Sequence, residues 1–154
     1  MSGLALWLSV LAPLACGPRQ VSPADRQAIE RVLNSYAQRM AKAYEDGGAK
    51  SLAGIATERE QLRVEHGIQA LAAEGKALRP RLQSLTIEDL EPAGQTTVVA
   101  NTLEVWDLEV VGAESGNQLS EATGQENRLT YSLVREHGRW LVLSRTLRNS
   151  QAPS

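Results

Sequence analysis

Thr96-Thr97-Val98-Val99-Ala100-Asn101-Thr102-Leu103-Glu104-Val105-Trp106-Asp107-Leu108-Glu109-Val110-Val111 is the stretch on which the fold turns. It is rich in β-branched residues, holds neither Gly nor Pro, and is far longer than the average strand of about five or six residues. Val99, Leu103 and Val105 share one parity, whereas Trp106, Leu108 and Val110 share the other. Strict alternation cannot place both sets on one face, because side chains in a strand repeat every two residues. A bulge near Glu104 or Val105 would reconcile them and bend the strand, with Asp107 and Glu109 left on the opposite side. Otherwise the strand is apolar on both faces, one of them meeting a partner.

The pattern on either side is also strand-like. Leu82 to Leu90 follows Pro80 and puts Leu85 and Ile87 on one face, with Glu91-Pro92-Ala93-Gly94 as turn chemistry. Gly112 to Glu126 is rich in Gly, Ser, Asn, Gln and Glu and reads as a mobile loop. Beyond it Leu129, Tyr131 and Leu133 alternate with Thr130 and Ser132, Glu136-His137-Gly138-Arg139 supplies a two-residue turn, and Trp140 to Leu147 returns. Residues 149–154 read as a flexible tail.

Ahead of Pro80 the period is helical. Ile29, Val32, Leu33, Tyr36, Met40 and Tyr44 recur every three or four residues between Ser22-Pro23, a start signal, and Gly47-Gly48, a stop. A second helical stretch, capped by Ser51, carries Leu52, Ile55, Leu62 and Leu71, with Gly54 and Gly67 as break points and an end near Gly75.

The 154 residues carry 16 basic and 18 acidic side chains, a net charge of -2, so one domain is expected and no block of cations marks a nucleic-acid partner. One cysteine forbids an internal disulfide and a cysteine-rich zinc site, and two histidines leave little for histidine metal chemistry. No metal and no cofactor are expected. Residues 4–16 are almost wholly apolar and no charged side chain precedes Arg19. At this length, with Pro13 inside it, the run reads as the apolar region of a signal peptide rather than a spanning helix. A cleaved leader without lipid and a buried N-terminal element are the alternatives.

Pro13-Leu14-Ala15-Cys16-Gly17 resembles the lipobox of bacterial lipoproteins, and Ala15 and Cys16 match it. The resemblance implies a signal peptide over residues 1–15, diacylglycerol on Cys16, a lipidated tether over 16–22, and a bacterial cell-envelope location facing the periplasm or exterior. A long helix, a second helical segment and four strands, one of them long and bent, resemble the nuclear-transport-factor-2-like superfamily. Within it the order is similar to the IMS-type domain of chloroplast-division proteins and their cyanobacterial relatives. The likeness is carried by Arg81 to Ile87, by residues 96–111, and by Tyr131-Ser132-Leu133-Val134-Arg135-Glu136-His137-Gly138-Arg139-Trp140-Leu141-Val142. It implies an α+β domain over residues 23–148, with N-terminal helices packed on a curved antiparallel four-stranded sheet. It also implies a non-catalytic module beside a membrane that binds a protein partner or small ligand; other branches of the superfamily are isomerases, dehydratases and cyclases.

Few residues suggest chemistry. His66, between Glu65 and Gly67, reads as a solvated helix-surface side chain, and His137 as a turn residue. Asp107 and Glu109 are paired carboxylates on one strand face, expected to be solvated. Beyond the leader the aromatics are Tyr36, Tyr44, Trp106, Tyr131 and Trp140; core packing accounts for them, and Tyr36, Tyr44, Trp106 and Tyr131 are the candidates to line a cleft between helix and sheet. Arg135, Arg139, Arg145 and Arg148 make the last hairpin locally basic, toward an anionic lipid or an acidic partner. A membrane-anchored binding protein is therefore expected, with no catalytic residue. The alternative is a small periplasmic isomerase, dehydratase or cyclase working in the cleft, and a homodimer across the exposed sheet face is a further option.

Overall fold

The computed structural model describes residues 20–148. The leader, Cys16 and the tail lie outside the described residues.

Helix α1 spans Pro23–Asp46. Ser22 caps it by accepting from the Asp25 N–H at 3.1 Å, while the Ser22 hydroxyl donates to Asp25 Oδ2 at 2.9 Å. Gly47, at φ 74°, ends it in the left-handed conformation that glycine adopts without a Cβ penalty. Its buried stripe is Ile29, Leu33, Tyr36, Ala37, Met40 and Ala43. The second helical stretch is two pieces, a single 3-10 turn at Ala49–Leu52 and helix α2 at Glu58–Ala73. Gly54, at φ 77°, divides them, and Thr57 caps α2. Ser51 instead lies within the 3-10 turn and donates to the Arg39 carbonyl at 2.8 Å. Gly67 does not break α2; a Cβ there would stand 2.9 Å from the Tyr44 hydroxyl.

The sheet is an antiparallel meander, order β1-β2-β3-β4: β1 Lys76–Pro92, β2 Thr97–Gly112, β3 Gln118–Glu136 and β4 Arg139–Leu147. N-terminal helices packed on a four-stranded antiparallel sheet, the α+β class expected from the sequence, are what is observed. Two boundaries differ from the sequence reading. The first strand begins before Pro80, which pairs opposite Leu108; β1 is an edge strand, where the missing N–H of proline is tolerated. The segment expected as a loop between Gly112 and Glu126 is largely strand, because Gln118 to Glu126 pair with β2 while exposed on both faces. Its polarity reflects exposure, not irregular backbone.

The bend also arises differently. β2 alternates without interruption from Val98 to Trp106, with Val98, Ala100, Thr102, Glu104 and Trp106 buried. The extra residues lie in its neighbours. Gln83 of β1 is unpaired opposite Val105 and Trp106, and β3 gains a residue opposite Asp107, where Gly124 has φ 63°. Asp107 joins the two irregularities, accepting from Gln83 Nε2 at 2.7 Å and from the Gly124 N–H at 2.8 Å. It is therefore not a free solvated carboxylate. Glu109 pairs loosely with Arg79 at 3.6 Å. Val99, Leu103 and Val105 are half-buried on the outer face, so the strand is apolar on both faces.

The two acids of the sheet surface should accordingly behave differently. Asp107→Ala removes two hydrogen bonds to the carboxylate, one from a side-chain amide and one from a backbone N–H, and should lower stability by about 1–2 kcal/mol. Glu109→Ala, which breaks an exposed ion pair, should change it by less than about 0.5 kcal/mol. Urea unfolding of the two variants gives the comparison.

Candidate functional site

The interior between helices and sheet holds two buried carboxylates, Glu60 and Glu104, which are 1% and 0% exposed. Glu60 belongs to the inner stripe of α2 with Val64 and Ile68. It accepts from the Tyr36 hydroxyl of α1 and from Arg63 Nε and Nη2 at 2.7 and 2.6 Å. Glu104 shares its parity with Ala100 and Trp106, so the pleat turns it inward. Its Oε1 accepts from the Tyr131 hydroxyl at 2.5 Å, and its Oε2 from Trp106 Nε1 at 2.7 Å and Arg145 Nη2 at 3.1 Å. Arg145 Nε donates to the Tyr131 oxygen at 3.1 Å. The Tyr36 and Tyr131 rings meet edge to face, centroids 5.8 Å apart and planes at 86°, which joins the two clusters into one chain of contacts.

A buried carboxylate is tolerable only when its lone pairs are satisfied, and both are. Burial first, and then the adjacent Glu60, raises the Tyr36 phenol above its ordinary pKa; burial first, and then Glu104, raises that of Tyr131. Burial alone would lower the Arg145 guanidinium, but Tyr131 and Glu104 outweigh it and hold the group above its usual value.

A cavity of about 300 Å³ opens beside this chain, between the C-terminal half of α1 and the sheet. Met40 and Tyr44 line it from α1, Leu78 and Pro80 from β1, and Trp106 and Leu108 from β2. Gln125, Asn127 and Leu129 of β3 and Arg145 and Leu147 of β4 close it. Of the four aromatics expected at a cleft, Tyr44 and Trp106 stand on this wall, whereas Tyr36 and Tyr131 are wholly buried among the core side chains. His66 is exposed on α2 and His137 sits in the β3–β4 turn with φ 48°. Among the described residues, no group of three or more His, Cys, Asp or Glu is placed to hold a metal ion.

The sequence reading did not single out Glu60, Glu104 or Arg145 as interior groups. The signal for the two acids was positional: Glu60 precedes Val64 and Ile68 by one and two turns, and Glu104 lies two residues from Trp106. Arg145 carries no such mark, because β4 has an irregularity between Val142 and Ser144 that resets its parity.

The chain matches no protein-family model and no curated protein. Solved structures do resemble it. The intermembrane space region of chloroplast protein ARC6 superposes with a TM-score of 0.65 at 13% identity, covering 86% of this chain and 100% of that one. Aln2 from a Streptomyces species gives 0.51 at 20% identity, covering 84% and 93%. A protein from Catenulispora acidiphila, in complex with S-DNPA, gives 0.51 at 15% identity, covering 79% and 92%. At such identities the fold alone is shared. The IMS-type likeness expected from the order of elements is among these matches.

The raised phenols set an alkaline limit. A group whose folded pKa lies above its unfolded value contributes stability that is complete below the unfolded value, about 10 for tyrosine, and is lost as pH rises toward the folded one. Each of Tyr36 and Tyr131 should therefore add about 1.4 kcal/mol per pH unit to the loss of stability above roughly pH 10. Chemical denaturation between neutral pH and pH 11 should show the steep fall, and the Tyr36→Phe and Tyr131→Phe variants should each flatten it. The same slope in all three proteins would exclude these phenols as its source.

Proposed function

We propose that the chain is a non-catalytic cell-envelope lipoprotein, tethered through Cys16, whose domain takes a small amphipathic ligand into the cavity between α1 and the sheet. The observation that carries the reading is the chemistry of the wall. Leu78, Leu108, Leu129, Leu147, Met40 and Trp106 make it apolar, while Gln125, Asn127, Tyr44 and Arg145 place a few polar groups among them. Neither a carboxylate nor a histidine lines it. About 300 Å³ is the lower end of the range for small-ligand pockets. General acid–base catalysis needs a titratable group within reach of the substrate, and Glu104 is engaged by Trp106, Tyr131 and Arg145. That supports binding over the alternative of an isomerase or cyclase. The anchor is supported by the sequence before Gly17, and a homodimer across the half-apolar outer face, around Val99, Leu103 and Val105, belongs to the same proposal.

Two experiments test it. Anilinonaphthalene sulfonate, an apolar body with one anionic group, should bind the folded protein and quench Trp106 emission. Leu108→Asp should weaken that binding at least tenfold, about 1.4 kcal/mol, whereas Leu103→Asp on the outer face should leave it unchanged; equal effects of the two would reject the cavity as the site. In cells, globomycin should block maturation and Cys16→Ser should move the protein out of the membrane fraction, and unchanged processing and fractionation would reject the anchor. Sedimentation as a monomer at high concentration would remove the homodimer.

A further inference from the structure

A second groove lies at the turn end of the hairpin, between α1 and the β3–β4 turn, with a volume of about 420 Å³. Three elements each bring one arginine to it: Arg31 from α1, Arg135 from β3 and Arg139 from β4. Trp140 forms part of its wall, with the Arg135 guanidinium 5.5 Å from the ring centroid, and Gly54 and Gly138 leave it open. No carboxylate lines it.

Three acids stand close to these arginines, outside the lining of the groove. Asp25 accepts from Trp140 Nε1 at 3.1 Å and pairs with Arg135 at 3.2 Å. Glu30 lines the adjoining cleft of α1 together with Arg31, Gln27 and Asn34. Glu136 is the cross-strand partner of Arg139. Arg31 and Arg139 are exposed and form no ion pair among the described residues. Of the four arginines that made the last hairpin basic in sequence, Arg145 is turned into the core, Arg148 is held by Glu88 at 2.7 Å and Arg135 by Asp25 at 3.2 Å, which leaves Arg139, beside Arg31 in this groove, as the one without an ion pair among the described residues.

We propose that the groove is the face on which the domain rests against an anionic lipid surface, its arginines taking headgroup phosphates. The inference rests on the reading of Cys16 as the lipidated residue. Seven residue steps lead from Cys16 to Pro23, a reach of at most roughly 25 Å, and Arg31 lies about 12 Å along α1 from its start. The groove is therefore within the radius in which the tether holds the domain against the bilayer. Guanidinium groups match phosphate oxygens in a bidentate geometry and stay charged at every physiological pH.

Co-sedimentation of the full chain carrying Cys16→Ser, which removes the lipid from the comparison, tests the groove with vesicles of phosphatidylcholine alone and of equimolar phosphatidylglycerol and phosphatidylcholine. Retention should be stronger on the anionic vesicles and should fall with salt. The double variant Arg31→Ser/Arg139→Ser should lose roughly 30-fold in apparent affinity for them, from about fivefold per arginine near the surface. Arg59→Ser/Arg81→Ser, which removes the same charge from exposed positions outside the groove, should lose less than threefold. Equal retention on both vesicles, equal losses in the two double variants, or preference for a soluble polyglutamate peptide over the anionic vesicles would overturn the proposal. Failure of the anchor is read separately, by globomycin, and does not alter this comparison.

Discussion

The carboxylate of Glu104 is the constraint around which the rest is arranged. It is fully buried on the central strand β2, and its donors come from three strands: Trp106 of β2, Tyr131 of β3 and Arg145 of β4. Removing an ion from water costs several kcal/mol, a cost offset only when the remaining lone pairs meet well-placed donors. That requirement fixes the relative positions of β2, β3 and β4 at this level of the sheet. Through the edge contact of Tyr131 with Tyr36 it extends to α1, and through Glu60 to α2. An apolar core would hold these elements together without specifying their register so narrowly.

The same arrangement decides what the interior can do. Arg145 contributes to the cavity wall, but two of its nitrogens are directed at Glu104 and Tyr131. The phenols of Tyr36 and Tyr131, kept neutral by burial and by the adjacent carboxylates, are hydrogen-bond donors rather than bases. What faces the open volume is apolar surface with a few polar groups. Curvature is handled apart from it, on the outer face, where Asp107 fastens the irregularities of β1 and β3 on either side of an uninterrupted β2.

Much of the fold was legible because local rules and global packing agree. The Ser22-Pro23 start and Gly47 stop of α1, its apolar stripe, and the His137-Gly138 turn were all readable from residue type and spacing. The site was less so. A glutamate in an amphipathic helix or a strand is ordinarily solvated, and only its phase relative to Val64 or Trp106 distinguishes an inward one. The long exposed half of β3 looked like a loop because a strand with no face to bury has no alternation to show. The bend was assigned to β2, since an irregularity in a neighbouring strand leaves no mark in the sequence of the strand that it curves.

A double-mutant cycle on Glu104 and Arg145 measures the central claim most directly. If the carboxylate is a structural clamp, Glu104→Leu and Arg145→Met should each cost roughly 3–5 kcal/mol in urea unfolding, because each leaves a buried charge without its partner. The double variant should cost less than the sum of the two by at least about 2 kcal/mol. Additive losses within about 0.5 kcal/mol would contradict the account, since the two groups would then not be holding each other.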